Sequence, residues 1–132
     1  MKIILIAFSF FFFFQKDIPQ IFTSYDNGLM AVIIFAPDNQ SKAYNRSITL
    51  LTKDPLGIDK RNIKIFEIFQ SGGIGPSGES ISEEEVTSIR KYYDIYPTNF
   101  KVILSAGKSA EIFRSDKPIT LEEIFERFDQ ID

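Results

Sequence analysis

The sequence predicts an α/β domain built as a three-layer sandwich: a mixed four-stranded sheet with helices on both faces, in the order β-α-β-α-β-β-α. Three observations predict it. Residues 29–36 (LMAVIIFA) form a continuous apolar run, the pattern of a strand buried on both faces. A helical period follows and then a second strand rich in Ile and Phe, which implies a parallel pair joined by a right-handed crossover. Near the C-terminus two strand-like runs flank a tight turn, the mark of an antiparallel hairpin.

Each element has its own warrant. Pro37 and Asp38 end the first strand. In residues 39–51, Ala43, Tyr44, Ser47, Ile48 and Leu51 share one face while Lys42 and Arg46 lie elsewhere, which predicts an amphipathic helix with Asp38 as its N-cap. Residues 54–57 (DPLG) read as a turn and residues 62–69 (NIKIFEIF) as the second strand. Residues 70–80 (QSGGIGPSGES) read as a flexible connector. Ser82 and Glu85 have capping-box spacing, and the helix they open carries Val86, Ile89 and Tyr93 on one face until Tyr96-Pro97 ends the segment. Residues 100–105 (FKVILS) are the third strand, Ala106-Gly107-Lys108 the turn, and residues 110–114 (AEIFR) the returning strand. Thr120 and Glu123 form a second capping box. Leu121, Ile124, Phe125, Phe128 and Ile131 then give the clearest amphipathic stripe in the chain.

At 132 residues the chain allows one domain, and its 44% hydrophobic and 25% charged residues are the balance of a globular chain. A formal net charge of −3 leaves no basic footprint for nucleic acid. Cys, His and Trp are absent. Their absence removes the thiol nucleophile, the disulfide, the thiolate or imidazole metal site and the Ser-His-Asp triad. No cofactor, no metal and no thiol oxidoreductase activity are expected. Residues 1–15 read as a secretory signal peptide, with an uncleaved anchor or a buried first strand as the alternatives: Lys2 precedes an apolar run ending in Phe10, Phe11, Phe12, Phe13 and Phe14, too short for the ~20 residues of a membrane span. Residues 16–28 are then a lead-in and residues 29–132 the domain. The product is expected in the periplasm or secreted, touching membrane only through its N-terminal segment.

Two segments carry a resemblance. Phe35-Ala36-Pro37-Asp38-Asn39-Gln40-Ser41 and Tyr96-Pro97-Thr98 resemble the places in thioredoxins where the redox motif follows the first core strand and where a Pro-Thr precedes the third. The cysteine pair is missing here, and Asn99 and Phe100 stand as an insertion before the strand. Over residues 29–131 the chain is similar to an uncharacterised bacterial thioredoxin-like family, domain-of-unknown-function family 4174. The matching stretches are residues 32–37 (VIIFAP), 60–67 (KRNIKIFE), 100–104 (FKVIL) and, best of all, 114–125 (RSDKPITLEEIF). Gly107-Lys108-Ser109-Ala110 departs from it, since the family's turn is richer in Gly and Asp. The resemblance implies a thioredoxin-like fold, an exported bacterial product and no established activity. In the thioredoxin layout the proline matching Pro97 is cis and exposes backbone to an extended peptide; a trans strand-edge proline is the alternative here.

The candidate contact site is therefore Asp38, Asn39, Gln40 and Ser41 at a helix N-terminus, whose amides can hold a partner's carbonyl or anion, together with Pro97 and Thr98. Residues 73–78 (GIGPSG) satisfy G-x-G-x-x-G, but Glu79 stands where a phosphate loop needs lysine. Glu83, Glu84 and Glu85 are explained by the helix dipole rather than a metal. Lys60, Arg61, Lys64 and Arg114 read as solvated edge charges, and the sequon Asn45-Arg46-Ser47 falls within a helix. Tyr92, Tyr93 and Tyr96 read first as core rather than platform, and remain the best exposed aromatic candidates for gripping a partner. The expected function is a non-redox binding or accessory module with a protein or peptide partner. Its rivals are a small hydrolase-type enzyme using carboxylate or Tyr/Lys chemistry, and a structural oligomer subunit joined through the strand at residues 110–114.

Overall fold

The computed structural model describes residues 17–25, 28–107 and 109–131. The expected signal peptide lies outside them. Among the described residues, no helix is long and apolar enough to cross a membrane.

The apolar run becomes β1 (Met30–Phe35), with every residue from Ala31 to Ala36 buried. Because side chains alternate along a strand, Ala31, Ile33 and Phe35 enter one core while Val32 and Ile34 enter the other. Helices α1 (Gln20–Thr23) and α4 (Glu83–Tyr93) cover the first face through Phe22, Val86, Ile89 and Tyr93. Helices α2 (Lys42–Leu51), α3 (Pro55–Lys60) and α5 (Leu121–Asp129) cover the second through Leu51, Ile58, Ile124 and Phe128. The layers are helix, sheet, helix. Phe22, which precedes the domain start expected at residue 29, is fully buried edge-to-face on Phe66 at 5.2 Å.

The sheet has six strands rather than the expected four, in the order β4-β3-β2-β1-β5-β6. β2 (Ile63–Ile68) runs parallel to β1, while β5 (Lys101–Ala106) pairs with it antiparallel and β6 (Ala110–Ser115) follows β5 antiparallel. The two further strands, β3 (Gly73–Ile74) and β4 (Ser80–Ile81), come from the stretch expected as a flexible connector. Its glycines serve a hairpin. A Cβ on Gly73 would sit 2.4 Å from the Glu67 carbonyl oxygen, and Gly78 turns the chain at φ 84°. The Gly75 amide donates to the Glu79 carbonyl at 2.8 Å, and Glu79 Oε1 accepts from the Ser77 amide at 2.9 Å.

Three local expectations are corrected. Ser41, not Asp38, caps α2, its Oγ accepting from the Tyr44 amide at 3.3 Å. Asp38 instead closes an Asx turn by accepting from the Gln40 amide at 2.8 Å. Residues 54–57 open α3 rather than forming a simple turn: Asp54 caps the Gly57 amide at 3.0 Å and Pro55 takes the first helical position. Arg61, expected to be solvated, pairs with Asp129 at 3.1 Å and lies 3.9 Å over the Phe125 ring, tying α5 to the start of β2. Ser82 and Thr120 cap their helices as expected, accepting from the Glu85 amide at 3.2 Å and the Glu123 amide at 3.3 Å. The carboxylates go elsewhere than the boxes require: Glu85 accepts from the Ser82 hydroxyl and Glu123 pairs with Arg127.

Arg90 is the one charged side chain among the buried polar residues, at 9% exposure. It donates to the Phe69 carbonyl and, at 3.0 Å, to the Gln70 carbonyl, clamping α4 onto the chain leaving β2. Burial lowers its guanidinium pKa, with Glu83 opposing that shift. Replacing Arg90 with Met is expected to cost about 2 kcal/mol, because two part-buried carbonyls lose a charged donor; urea unfolding measures it. Tyr93 gives a pH signature. Burial pushes its phenol up to about 12, so the neutral form stabilises the fold below the unfolded value near 10 and that contribution is lost as pH rises from 10 toward 12. Tyr93→Phe is expected to cost about 1 kcal/mol at neutral pH. It should also flatten the fall in stability between pH 10 and 12 by about 2 kcal/mol, read from unfolding curves at stepped pH.

Candidate functional site

The chain leaves β1 into a loop held from both sides. Ala36 donates to the Ile68 carbonyl at 3.0 Å, and Pro37 accepts from the Gln70 amide at 3.3 Å, so the loop hangs on the segment that Arg90 clamps. Asp38, Asn39 and Gln40 are exposed and Ser41 half-buried. Asn45 fastens them from below, its Nδ2 donating to the Asn39 carbonyl at 3.1 Å and the Ser41 carbonyl at 3.0 Å. The sequon asparagine is thus committed to the loop. One turn into α2, the Tyr44 ring meets Phe69 edge-to-face at 5.1 Å and its hydroxyl donates to the Glu67 carboxylate. Burial and, after it, the Glu67 carboxylate hold the Tyr44 phenol well above its ordinary value.

Pro97 and Thr98 are exposed in a turn closed by the Asn99 amide on the Tyr96 carbonyl at 3.1 Å. The pairing of Phe35 with Lys101 puts the end of β1 beside the start of β5. The loop at residues 38–41 and the turn at residues 96–99 therefore leave the sheet at the same end. No cis peptide bond occurs among the described residues, so Pro97 is trans, the alternative to the cis proline of the thioredoxin layout. The three tyrosines divide. Tyr93 is buried and donates to the Ser109 carbonyl at 3.0 Å, while the Tyr92 and Ser109 hydroxyls lie 3.1 Å apart. Tyr96, beyond the left-handed C-cap Asp94, is 73% exposed.

Outside this end of the sheet, a cleft of about 500 Å³ lies between the end of α4 and the start of β6, lined by Tyr92, Tyr93, Asp94, Ser109 and Arg114 among others. Arg114 is not the solvated edge charge expected. It meets both Glu111 carboxylate oxygens at 2.7 Å and donates to the Tyr93 carbonyl at 2.8 Å, so its charge is already neutralised. The buried polar residues among those described are Ser47, Arg90, Ser105 and Ser109. The glycine-rich stretch is a hairpin turn whose Glu79 carboxylate faces its own backbone. The edge strand β6 is irregular. Between Leu104 and Ser105 the register shifts, leaving Ile112 as a bulge, and the Glu111–Arg114 pair lies on the same strand.

Two features escaped the sequence reading, and each left a trace. Arg90 stands at i+4 from Val86, on the apolar stripe that continues to Tyr93. Glu67 is a lone carboxylate among Ile65, Phe66, Ile68 and Phe69. A single charge at a core position signals a tertiary partner.

Comparison with known proteins supports this architecture. The structure is similar to that of reduced Plasmodium vivax 2-Cys peroxiredoxin, with a TM-score of 0.60 and 16% identity, covering 81% of this chain and 79% of that one. At that identity the likeness speaks for a thioredoxin-like fold alone, and the cysteines in the other protein's name have no counterpart in these 132 residues. No curated protein matches the chain. The family described as Domain of unknown function (DUF4174) matches residues 31–132, and the chain belongs to that family.

Proposed function

We propose that this domain is a non-redox binding module that grips an extended protein or peptide partner with the loop at residues 38–41 and the turn at residues 96–98, and that it works after export. The observation that carries the reading is the 73% exposure of Tyr96 next to Pro97, at the end of the sheet where the loop after β1 also emerges. A large aromatic held in water has no folding role there, and Tyr is a favoured binding anchor because it brings area at small entropic loss. The exposed polar groups of Asp38, Asn39 and Gln40 supply acceptors and donors around it. With no cysteine in the chain, thiol exchange is not the use of this surface. Export rests on the charged and then apolar pattern of residues 1–15.

Peptides selected from a random displayed library on the immobilised protein test the binding surface. Tyr96→Ala is expected to weaken the selected peptides tenfold or more, as an aromatic anchor does, while unfolding stability stays within about 0.5 kcal/mol, as for an exposed residue. Selected peptides that bind Tyr96→Ala and Asn39→Ala as tightly as the parent would remove the reading. Export has its own check. A tagged full chain produced in a bacterial host is expected in the periplasm with a new N-terminus near Gln15, whereas intact chain confined to the cytosol would refute it.

A further inference from the structure

The β2 strand is paired along its whole length on one side only. β1 matches it from Ile63 to Ile68, but β3 covers just Glu67 and Ile68. The reason is local. Continuing the β3 register would bring Pro76, which has no amide to donate, opposite Ile65, and the Gly75 amide is already turned to the Glu79 carbonyl. The direction of the free groups follows from the bonds that exist. The Ile68 carbonyl points to β1, accepting from Ala36, and the Phe69 amide points to Gly72 on the other side. Alternation along the strand then turns the amides and carbonyls of Ile63 and Ile65 outward, where no strand stands among the described residues.

This open step borders a cleft of about 510 Å³, walled by Pro55, Leu56 and Ile58 of α3, by Ile63 and Ile65, and by Pro76. Leu56 is 80% exposed, the most exposed of the large apolar side chains. We propose that this edge is a second binding site, one that takes an extended peptide strand of the pattern apolar–acidic–apolar. The strand adds to β2 through the free groups of Ile63 and Ile65. Its apolar side chains fall on the α3 side, and its acidic residue lies opposite Lys64 on the other face. Charge selects this occupant. Lys60 and Lys64 make no ion pair among the described residues, and Asp59 is the one carboxylate lining the cleft. A second copy fits worse: the two-fold register that pairs Ile63 with Ile65 of the other copy sets Lys64 against Lys64, and like charges directly opposite repel.

The test uses the full chain and a fluorescein-labelled peptide, Ser-Thr-Val-Glu-Val-Thr-Ser, with its Lys-centred counterpart as control. Anisotropy should saturate below about 1 mM for the Glu peptide only. Lys64→Glu is expected to weaken that peptide about fivefold and to admit the Lys peptide instead, a swap that misfolding does not produce. Leu56→Glu, at an exposed position, should abolish binding, and Tyr96→Ala should leave it unchanged, which separates this site from the loop surface. Amide exchange at Ile63 and Ile65 should be fast in the free protein and slowed by the peptide. The proposal is overturned if neither peptide saturates, if both bind alike, or if those two amides are already protected. It is also overturned if sedimentation reveals a dimer that Leu56→Glu dissolves, since the second copy would then be the occupant.

Discussion

Burial of β1 on both faces is the constraint on which the rest of the molecule depends. From Ala31 to Ala36 it carries no polar side chain, and it is hydrogen-bonded on both edges, to β2 and to β5. Each fully buried Val, Ile or Phe contributes ~1.5–3 kcal/mol, so the strand is stable only when helices close over both faces. One strand therefore demands two cores, and two cores demand the helix–sheet–helix layering. The parallel pairing of β1 with β2 requires the crossover through α2 and α3, and the antiparallel pairing with β5 returns the chain to the same end of the sheet. Three segments emerge there together: the loop after β1, the clamped chain after β2, and the turn before β5.

What the sequence displayed was whatever repeats with a period. The doubly buried run, the stripe from Leu121 to Phe128 and the caps at Ser82 and Thr120 are local patterns, and they stand where expected. What it hid was settled by partners distant in the chain. A two-residue strand such as β3 has no period to read, and its Gly73, which resembles a linker residue, is there because the Glu67 carbonyl comes too close for a side chain. Asp38 and Ser41 are both good caps. The bonds that Ala36 and Pro37 make to the β2 side fit the later start, leaving Asp38 to a turn of its own. Ile131 keeps the stripe's spacing but lies 36% exposed, since α5 ends at Asp129. For the contact surface, the residue types and their place at strand ends were legible. The division of the three tyrosines was not, because it turns on the left-handed cap at Asp94, a backbone state that no side-chain pattern announces.

The two borders of the sheet are treated differently, and the difference bears on assembly. β6 is a full-length border strand, yet a bulge at Ile112 and the Glu111–Arg114 pair interrupt its apolar run, features that discourage pairing with another chain. At the opposite border β4 is two residues long, too short to template much. The step left beside β2 runs from Ile63 to Phe66, with Lys64 between two isoleucines. A lysine there admits an acidic strand and rejects a copy of itself. That chemistry favours capture of a foreign segment over growth of a fibre.

Distance makes the two surfaces independent. Met30 pairs with Ile63 and Phe35 with Ile68, so the open step lies at one end of the β1–β2 pair and the loop at residues 38–41 beyond the other. At ~3.3 Å per residue, five residues of strand put roughly 17 Å between them, further than direct side-chain coupling reaches. Between them lies β1, buried from Ala31 to Phe35 and paired on both edges. A scaffold of this kind does not need the cysteines of its structural relative to be stable, because its cohesion comes from the two cores. The strand ends, the exposed Tyr96 and the uncovered length of β2 lie outside those cores.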